Sequence, residues 1–287
     1  MISKERILSA LFLQVSCVIL TISTGIFGAA PLLLLRRTTD ALNFLFLQFL
    51  TITIALYFKS HLLALTLFSL GFLVFCYGYL EKKPILFRSV ISVLISSTIF
   101  LVTLYCWIYF KGSLDFWTWM GDKVELYFSQ ARTILGDVKM DLESLTYQVP
   151  SLVVMFFALA LWIAVLFDAR SQRRFGVVKP QIEIKNFRTP EAFIWVVIVS
   201  LLFSFVKTPV PGLQEAALNI LNISLLLYFF QGLSVLSYLM EILSFGSLLK
   251  MIVYFIFIAQ LLLPICLGIL DFWLNFRNKI SKKDSRV

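Results

Sequence analysis

Long apolar runs, separated by short charged or proline-containing breaks, follow one another along the whole chain. Stretches such as Leu152 to Phe167 are apolar on all sides, and a helix needs about 20 such residues to cross a bilayer. Hydrocarbon offers backbone amides no hydrogen-bond partner, so only helices or a closed barrel can span it. Barrel strands would alternate apolar and polar residues. The pattern therefore predicts an all-α, polytopic transmembrane helical bundle.

The runs predict about eight crossings. The second segment, Ile26 to Leu35, is short and contains Gly28-Ala-Ala-Pro31, so we expect an irregular return segment there. Phe193 to Val206 is short and ends at prolines, so we expect it not to cross; nine crossings are the alternative. Gln231-Gly232 is a soft point in the seventh segment. The predicted crossings are Ile7 to Phe27, Ile26 to Leu35, Asp40 to Phe58, Leu62 to Leu80, Ile85 to Phe110, Leu152 to Phe167, Leu213 to Leu243 and Leu248 to Phe276.

One connection has a pattern of its own. Between residues 116 and 145 apolar residues recur every three or four positions, which predicts an amphipathic helix with Trp117, Met120, Val124, Leu135 and Leu142 on one stripe. We interpret this segment as a helix that lies on the outer surface of the membrane or packs over the bundle. The alternative is a lid over a site that opens outward.

Charge orients the segments. Residues 111–150 hold four basic and six acidic residues, whereas residues 168–192 hold six basic and three acidic. The positive-inside rule places the first loop outside, and the second loop and the N-terminus in the cytoplasm. The predicted domains are residues 1–167, a six-segment bundle with the external helix; 168–192, a basic cytoplasmic loop; and 193–287, the C-terminal membrane segments and basic tail.

Composition supports the membrane assignment. Apolar residues make up 60% of the chain and charged residues 14%, against about a quarter charged in soluble domains. The net charge of +9 follows the positive-inside rule, so we expect no nucleic acid partner. The four cysteines lie in apolar runs without a CxxC pair, which indicates small buried hydrophobes. The expected location is a bacterial cytoplasmic (inner) membrane, crossed several times.

Signatures of catalysis are not found in the sequence. It contains no GxxxxGK[ST], HExxH or GxSxG motif, and His61 is its one histidine. We therefore expect no enzymatic activity, cofactor or metal, and any ATP-driven transport would need partner chains.

Polar residues inside the apolar runs are the candidate functional residues. Asp271 lies about two turns from the end of its segment, near Trp273, so we expect a solvated, interfacial carboxylate that anchors the helix. The alternative is a transport or coupling role, with Arg88 or the Arg173-Arg174 pair as its partner. Amides in such runs commonly join helices. The candidates are Asp271, Arg88, Asn219, Asn222 and Gln231.

The second half carries a set of motifs that resembles the YybS-like family of predicted bacterial membrane proteins, whose biochemical function is not established. The resemblance covers roughly residues 145 to 280. Its motifs are Val149-Pro150, Arg173-Arg174-Phe-Gly176, Phe187-Arg188-Thr-Pro190, Phe193-Ile-Trp195, Asn219 to Gln231-Gly232-Leu-Ser-Val235, Leu267-Gly268-Ile-Leu-Asp271 and Phe276-Arg277.

The first half is similar in layout to the substrate-binding membrane subunits of energy-coupling-factor vitamin transporters. Those subunits often dock their coupling subunit through AxxxA, but here Ala10 is followed by Gln14. The leading hypothesis is a membrane-embedded binding or transport subunit for a small molecule, with lipid and other membrane or ATPase subunits as partners. The alternative is a structural or assembly protein that scaffolds other membrane proteins.

Overall fold

Every regular element of the described residues is a helix, which confirms the all-α prediction. The computed structural model describes residues 4–110, 115–135, 142–174, 187–206, 210 and 212–275. The chain divides into two compact units, Met1–Pro180 and Gln181–Val287, referred to below as unit 1 and unit 2. The described helices of unit 1 are α1 (Lys4–Thr24), α2 (Ala29–Thr38), α3 (Ala41–Tyr57), α4 (His61–Tyr79), α5 (Ile85–Phe110), α6 (Phe116–Leu135), α7 (Leu142–Tyr147) and α8 (Val149–Arg174).

The break after the first helix differs from the prediction. The chain turns at Gly25, whose φ of 67° favours glycine, and a 3-10 turn over Ile26–Gly28 leads directly into α2. The return segment is therefore irregular only at its start, over Ile26–Gly28, and the prediction of irregular backbone was wrong for the following helix α2. Pro31 did not break it, because it lies in the first turn, where backbone N–H groups have no intrahelical partner to lose.

Helix α2 forms the centre of unit 1. Residues 29–33 and Leu35 are buried, and the helix packs against α1, α4 and α8. With 10 residues, α2 is about 15 Å long, roughly half of a bilayer's hydrocarbon core. Its last turn carries Arg36 and Arg37, where the partial negative charge of a helix C-terminus favours cations.

The predicted amphipathic helix is present over Phe116–Leu135 as α6, and Leu142–Tyr147 forms the short α7; residues 136–141 lie outside the described residues. The face of α6 that packs on α5 carries Phe116, Trp119 and Met120. The predicted stripe included only Met120 of these, and Trp117 is more exposed and contacts Tyr147 instead.

Helix α8 continues to Arg174, so Asp168 lies on this helix. The predicted boundary at residue 168 placed it in the following loop instead, which was wrong. The remaining predicted basic loop lies largely outside the described residues. On this helix Asp168 is fully buried, whereas a loop position would have left it exposed to solvent.

Unit 2 is built on one long helix, and two of its three short described helices pack along it. Its described helices are α9 (Phe193–Phe205), α10 (Leu213–Ile242), α11 (Ser247–Ala259) and α12 (Leu262–Leu274). Thr189, just before α9, bonds to Gln231, whereas Gln214 bonds to the Ser204 carbonyl near the end of α9. Helix α9 therefore runs antiparallel to the first part of α10. Helix α12 also packs along α10.

The last apolar stretch, predicted as one crossing over Leu248 to Phe276, is broken near its middle, just before Pro264. Helices α11 and α12 meet at a bend of 96° around Gln260 and Leu261. Proline again lies in the first turn of the following helix. By contrast, α10 passes through Gln231-Gly232 without interruption, so the predicted soft point was wrong.

Four described helices are long and apolar enough to cross a membrane, and the bent pair brings the number to as many as five. The four are α4, α5, the Val149–Asp168 part of α8, and α10. Shorter apolar helices cover Leu8–Thr24, Ala41–Tyr57 and Phe193–Phe205. The structure therefore supports a membrane protein with several spans, whereas a count of eight is not supported by helix length alone.

Candidate functional site

A chain of hydrogen bonds joins three buried polar side chains in unit 2. The Gln231 Oε1 atom accepts hydrogen bonds from the Thr189 backbone N–H, at 3.1 Å, and from the Thr189 hydroxyl. The Gln231 Nε2 atom donates to Asp271 Oδ2 at 3.3 Å. Because a backbone N–H can only donate, it fixes the orientation of the amide and directs its NH₂ group to the carboxyl group.

Asp271 is not the solvated, interfacial carboxylate that the sequence suggested. Its exposed fraction is 1%, as is that of Gln231. Gln231 lies about 5 Å along the axis from the midpoint of α10, and the hydrogen bond brings Asp271 to this level although it is near the end of α12. The expectation failed because contact between two segments, not position along one of them, sets the environment.

Close backbone contact between α10 and α12 brings the hydrogen-bonded side chains of Gln231 and Asp271 together. A Cβ added at Gly232 would lie 1.8 Å from the Pro264 carbonyl oxygen, and one added at Gly268 would lie 2.1 Å from the Tyr228 carbonyl oxygen. Small residues commonly allow this approach between helices in membranes. The two glycines therefore determine the distance at which Gln231 and Asp271 meet.

The two asparagines of α10 lie closer to its N-terminus. Asn219 and Asn222 are half-buried, and Asn219 Nδ2 donates to the Glu215 carbonyl of its own helix at 2.8 Å. Asn222 lies about 13 Å along the axis from Gln231. A role for either asparagine in joining helices stays a prediction.

Unit 1 contains a buried ion pair. Arg37 Nη2, at the end of α2, lies 2.8 Å from Asp168 Oδ2 on α8, and Arg37 Nη1 lies 3.9 Å from Glu81 Oε1. Asp168 is fully buried, whereas the Glu81 side chain is 62% exposed. A charge-assisted bond of this length fixes the end of α2 to α8.

Arg88, a candidate from the sequence, is also buried, with an exposed fraction of 5%. Its guanidinium carbon lies 4.4 Å from the centre of the Tyr77 ring, and Nη1 donates to the Glu81 carbonyl at 3.4 Å. Arg37, Arg88 and Asp168 all act electrostatically on Tyr77. The ring therefore marks the place in unit 1 where these charges converge. The predicted pairing of Arg88 or Arg173-Arg174 with Asp271 stays a prediction.

A second polar contact joins α1 and α3. Gln14 Nε2 donates to Thr51 Oγ1 at 2.6 Å, and Gln48 Nε2 lies 3.4 Å from Gln14 Oε1. Gln48 also packs against Gly71 of α4, where an added Cβ would lie 2.9 Å from its Oε1 atom. These amides join helices, as expected for polar residues inside apolar runs.

An open cavity of about 200 Å³ is lined by residues of α3, α4 and α5. Apolar side chains line most of it, and His61 and Trp107, whose rings are 6.0 Å apart, lie among the lining residues. Such a lining suits hydrocarbon better than a polar ligand.

The cysteines are all free. Cys17 is buried, as predicted. The side chains of Cys106 and Cys266 lie on the surface of the protein, so the prediction of buried thiols was wrong for these two. Within the described ranges, no group of three or more His, Cys, Asp or Glu side chains could hold a metal ion.

Sequence reasoning missed Tyr77, Thr189 and the role of Asp168. Tyr77 looked like one more aromatic residue in an apolar run, and Asp168 was assigned to a loop. The sequence did contain a signal for the Gln231–Asp271 contact of unit 2, because Gly232 and Gly268 are glycines inside two apolar segments.

Comparison with known proteins agrees with the membrane assignment. No curated protein and no solved structure matches the chain. The similarity of layout to energy-coupling-factor subunits is not supported. The chain matches, over residues 7–272, the family described as Predicted membrane protein (DUF2232), so the match extends to the first half of the chain. The chain therefore belongs to this YybS-like family of predicted membrane proteins.

Proposed function

We propose that the protein is a membrane-embedded binding or transport subunit for a small molecule, without an ATPase of its own. The proposal includes no enzymatic activity, as the sequence led us to expect. ATP-driven transport would require partner chains that carry the nucleotide-binding motif.

A buried carboxyl group on a broken apolar helix carries the proposal. Asp271 has an exposed fraction of 1%, and its helix follows a bend of 96°. An ionisable residue inside a membrane helix is costly and commonly marks a path for a substrate or ion. Transporters commonly build such sites from discontinuous helices. Gln231, itself held by Thr189, fixes the Asp271 carboxyl group in place through a hydrogen bond from a neutral amide.

The topology belongs to the same proposal. With the four long helices, the bent pair and the three shorter apolar helices all crossing, the chain would cross eight times. This differs from the set of eight predicted from the sequence, because α2 would not cross and α9 would. We propose the bacterial inner membrane, with residues 168–192 in the cytoplasm on the charge balance of the two loops. In this set of crossings α1, α3, α4 and α5 make four crossings before residue 111, which puts the N-terminus on the same outer side as residues 111–150. The cytoplasmic N-terminus predicted from the sequence requires α2 to cross as well.

Ligand-dependent stability tests the proposal. Thermal unfolding of the purified full-length protein in mild detergent is measured with a panel of vitamins, amino acids, nucleosides and inorganic cations. We expect at least one compound to raise the unfolding temperature of the wild type but not of Asp271→Asn. Glu241→Gln removes an exposed carboxylate from the same unit and is the matched control, which should respond like the wild type. A response that Asp271→Asn retains in full contradicts the assignment of this site.

The assembly role remains the alternative from the sequence, and co-purification separates it from transport. Chains with ATPase activity that co-purify in mild detergent would support an energised transport subunit. Co-purification of membrane proteins without ATPase activity, together with no stabilising compound, would contradict the transport proposal and favour a scaffold.

A further inference from the structure

Arg88 poses a problem of charge balance in unit 1. The residue is 5% exposed, its Nε atom is buried without a hydrogen-bond partner, and no ion pair joins it to a described carboxylate of unit 1. The nearby carboxylates are engaged elsewhere, because Asp168 pairs with Arg37, and Glu81 is exposed and approaches Arg37 as well.

The contacts that Arg88 does make are weak compensation for a buried charge. The Glu81 carbonyl accepts at 3.4 Å, a long hydrogen bond. The Tyr77 ring, at 4.4 Å from the guanidinium carbon, offers a cation–π contact, which is weaker than a buried ion pair. Burying an unpaired ion costs several kcal/mol even after relaxation. The guanidinium therefore needs an anion as well.

The start of α5 lies beside this guanidinium. The Arg88 N–H bonds to the Pro84 carbonyl, so the amides of residues 85–87 come before the first intrahelical bond of α5. Arg88 reaches back past them to Glu81. Free amides at the start of a long helix favour an anion at the same place.

We infer that Arg88 and the first amides of α5 bind a phosphate group. A guanidinium can donate two parallel hydrogen bonds to phosphate oxygens, and the Nε atom of Arg88 is available for one of them. The phosphate belongs either to the headgroup of an anionic phospholipid or to a free phosphate compound; the chemistry at Arg88 is the same. This site lies in unit 1 and does not depend on the function proposed for Asp271.

Binding to the purified full-length protein in detergent tests the inference in two arms. Native mass spectrometry measures retention of phosphatidylglycerol against phosphatidylcholine, and thermal unfolding measures stabilisation by inorganic phosphate without added lipid. We expect saturable binding in at least one arm, weakened at least about tenfold in Arg88→Gln, because a charge-assisted pair is lost. Lipid binding alone identifies a headgroup site, and stabilisation by inorganic phosphate identifies a free phosphate compound.

Two further variants keep the test decisive. Lys83→Gln removes an equal charge from the exposed segment before α5 and should change binding less than about threefold. Arg88→Lys keeps the charge but loses the planar fork, so it should bind more weakly than the wild type even if Arg88→Gln does not fold. The inference is overturned if the wild type binds neither probe, or if both Arg88 variants bind as tightly as Lys83→Gln.

Discussion

The two units hold buried charge in different ways. In unit 1 an arginine and a carboxylate on separate helices neutralise each other at 2.8 Å, and side chains separate the helix backbones. In unit 2 the buried carboxyl group meets an amide, and two glycines bring the backbones of α10 and α12 into contact. The first arrangement depends on opposite charges and the second on close packing.

This difference teaches where each unit is sensitive. Removing one partner of a buried ion pair leaves an uncompensated charge. A close backbone contact instead fails when any side chain is added, because the two carbonyl groups cannot move aside like flexible side chains. Mutations that add volume should therefore affect unit 2 most, and mutations that remove charge should affect unit 1.

The largest effect is expected at Gly232. In Gly232→Ala the new Cβ would lie 1.8 Å from the Pro264 carbonyl oxygen, so α12 must move. We expect the free energy of unfolding to fall by about 3 kcal/mol or more, measured by unfolding in detergent. Gly246→Ala is the control, since nothing lies within 4 Å of its added Cβ and its φ of −62° suits alanine. Equal stability of the two variants would refute the backbone contact.

A smaller effect is expected from the ion pair of unit 1. Arg37→Gln leaves Asp168 buried without its cation, and we expect a loss of about 2 kcal/mol, reduced from the fully buried case because Arg37 is one-third exposed. The matched control is Arg188→Gln in unit 2, whose pair with Glu191 is exposed at 3.7 Å and should contribute less than about 1 kcal/mol. Losses of the same size in chemical unfolding would contradict the contrast between the units.

The smallest effect is expected at Gly78. This residue lies in the last turn of α4, and an added Cβ would make ordinary contact with Arg36 Cγ at 3.5 Å. Gly78→Ala should stabilise the protein by up to about 0.5 kcal/mol, because alanine loses less conformational freedom than glycine in a helix. A marked loss of stability in thermal unfolding would show that unit 1 is as tightly packed as the glycine contact in unit 2.

Much of the helix pattern could be predicted from the sequence. The long apolar runs correspond to α4, α5, α8 and α10. Such runs form helices because a helix satisfies the backbone hydrogen bonds of a segment within hydrocarbon. Local breaks were harder to place. Pro31 predicts a break in the helix, but proline is harmless in a first turn, and Gly25 makes the turn instead.

The candidate sites could be predicted only in part. Arg88, Gln231 and Asp271 were selected because polar residues are rare in apolar runs, and all three are buried. Their partners could not be predicted, since Asp271 meets Gln231 40 residues away along the chain, and a single sequence contains no record of that contact. For the same reason, the sequence pattern predicts a loop position for Asp168 and does not show its pairing with Arg37.

The burial of α2 also constrains how the protein is made. A chain leaves the ribosome from its N-terminus, so Arg36 and Arg37 are synthesised long before Asp168. Helix α2 is too short to cross the bilayer alone, and α8, which covers it and supplies the counter-charge, emerges only later. The contacts that bury α2 and neutralise Arg37 can therefore form only after α8 has been synthesised, so the centre of unit 1 is completed late although it lies early in the chain.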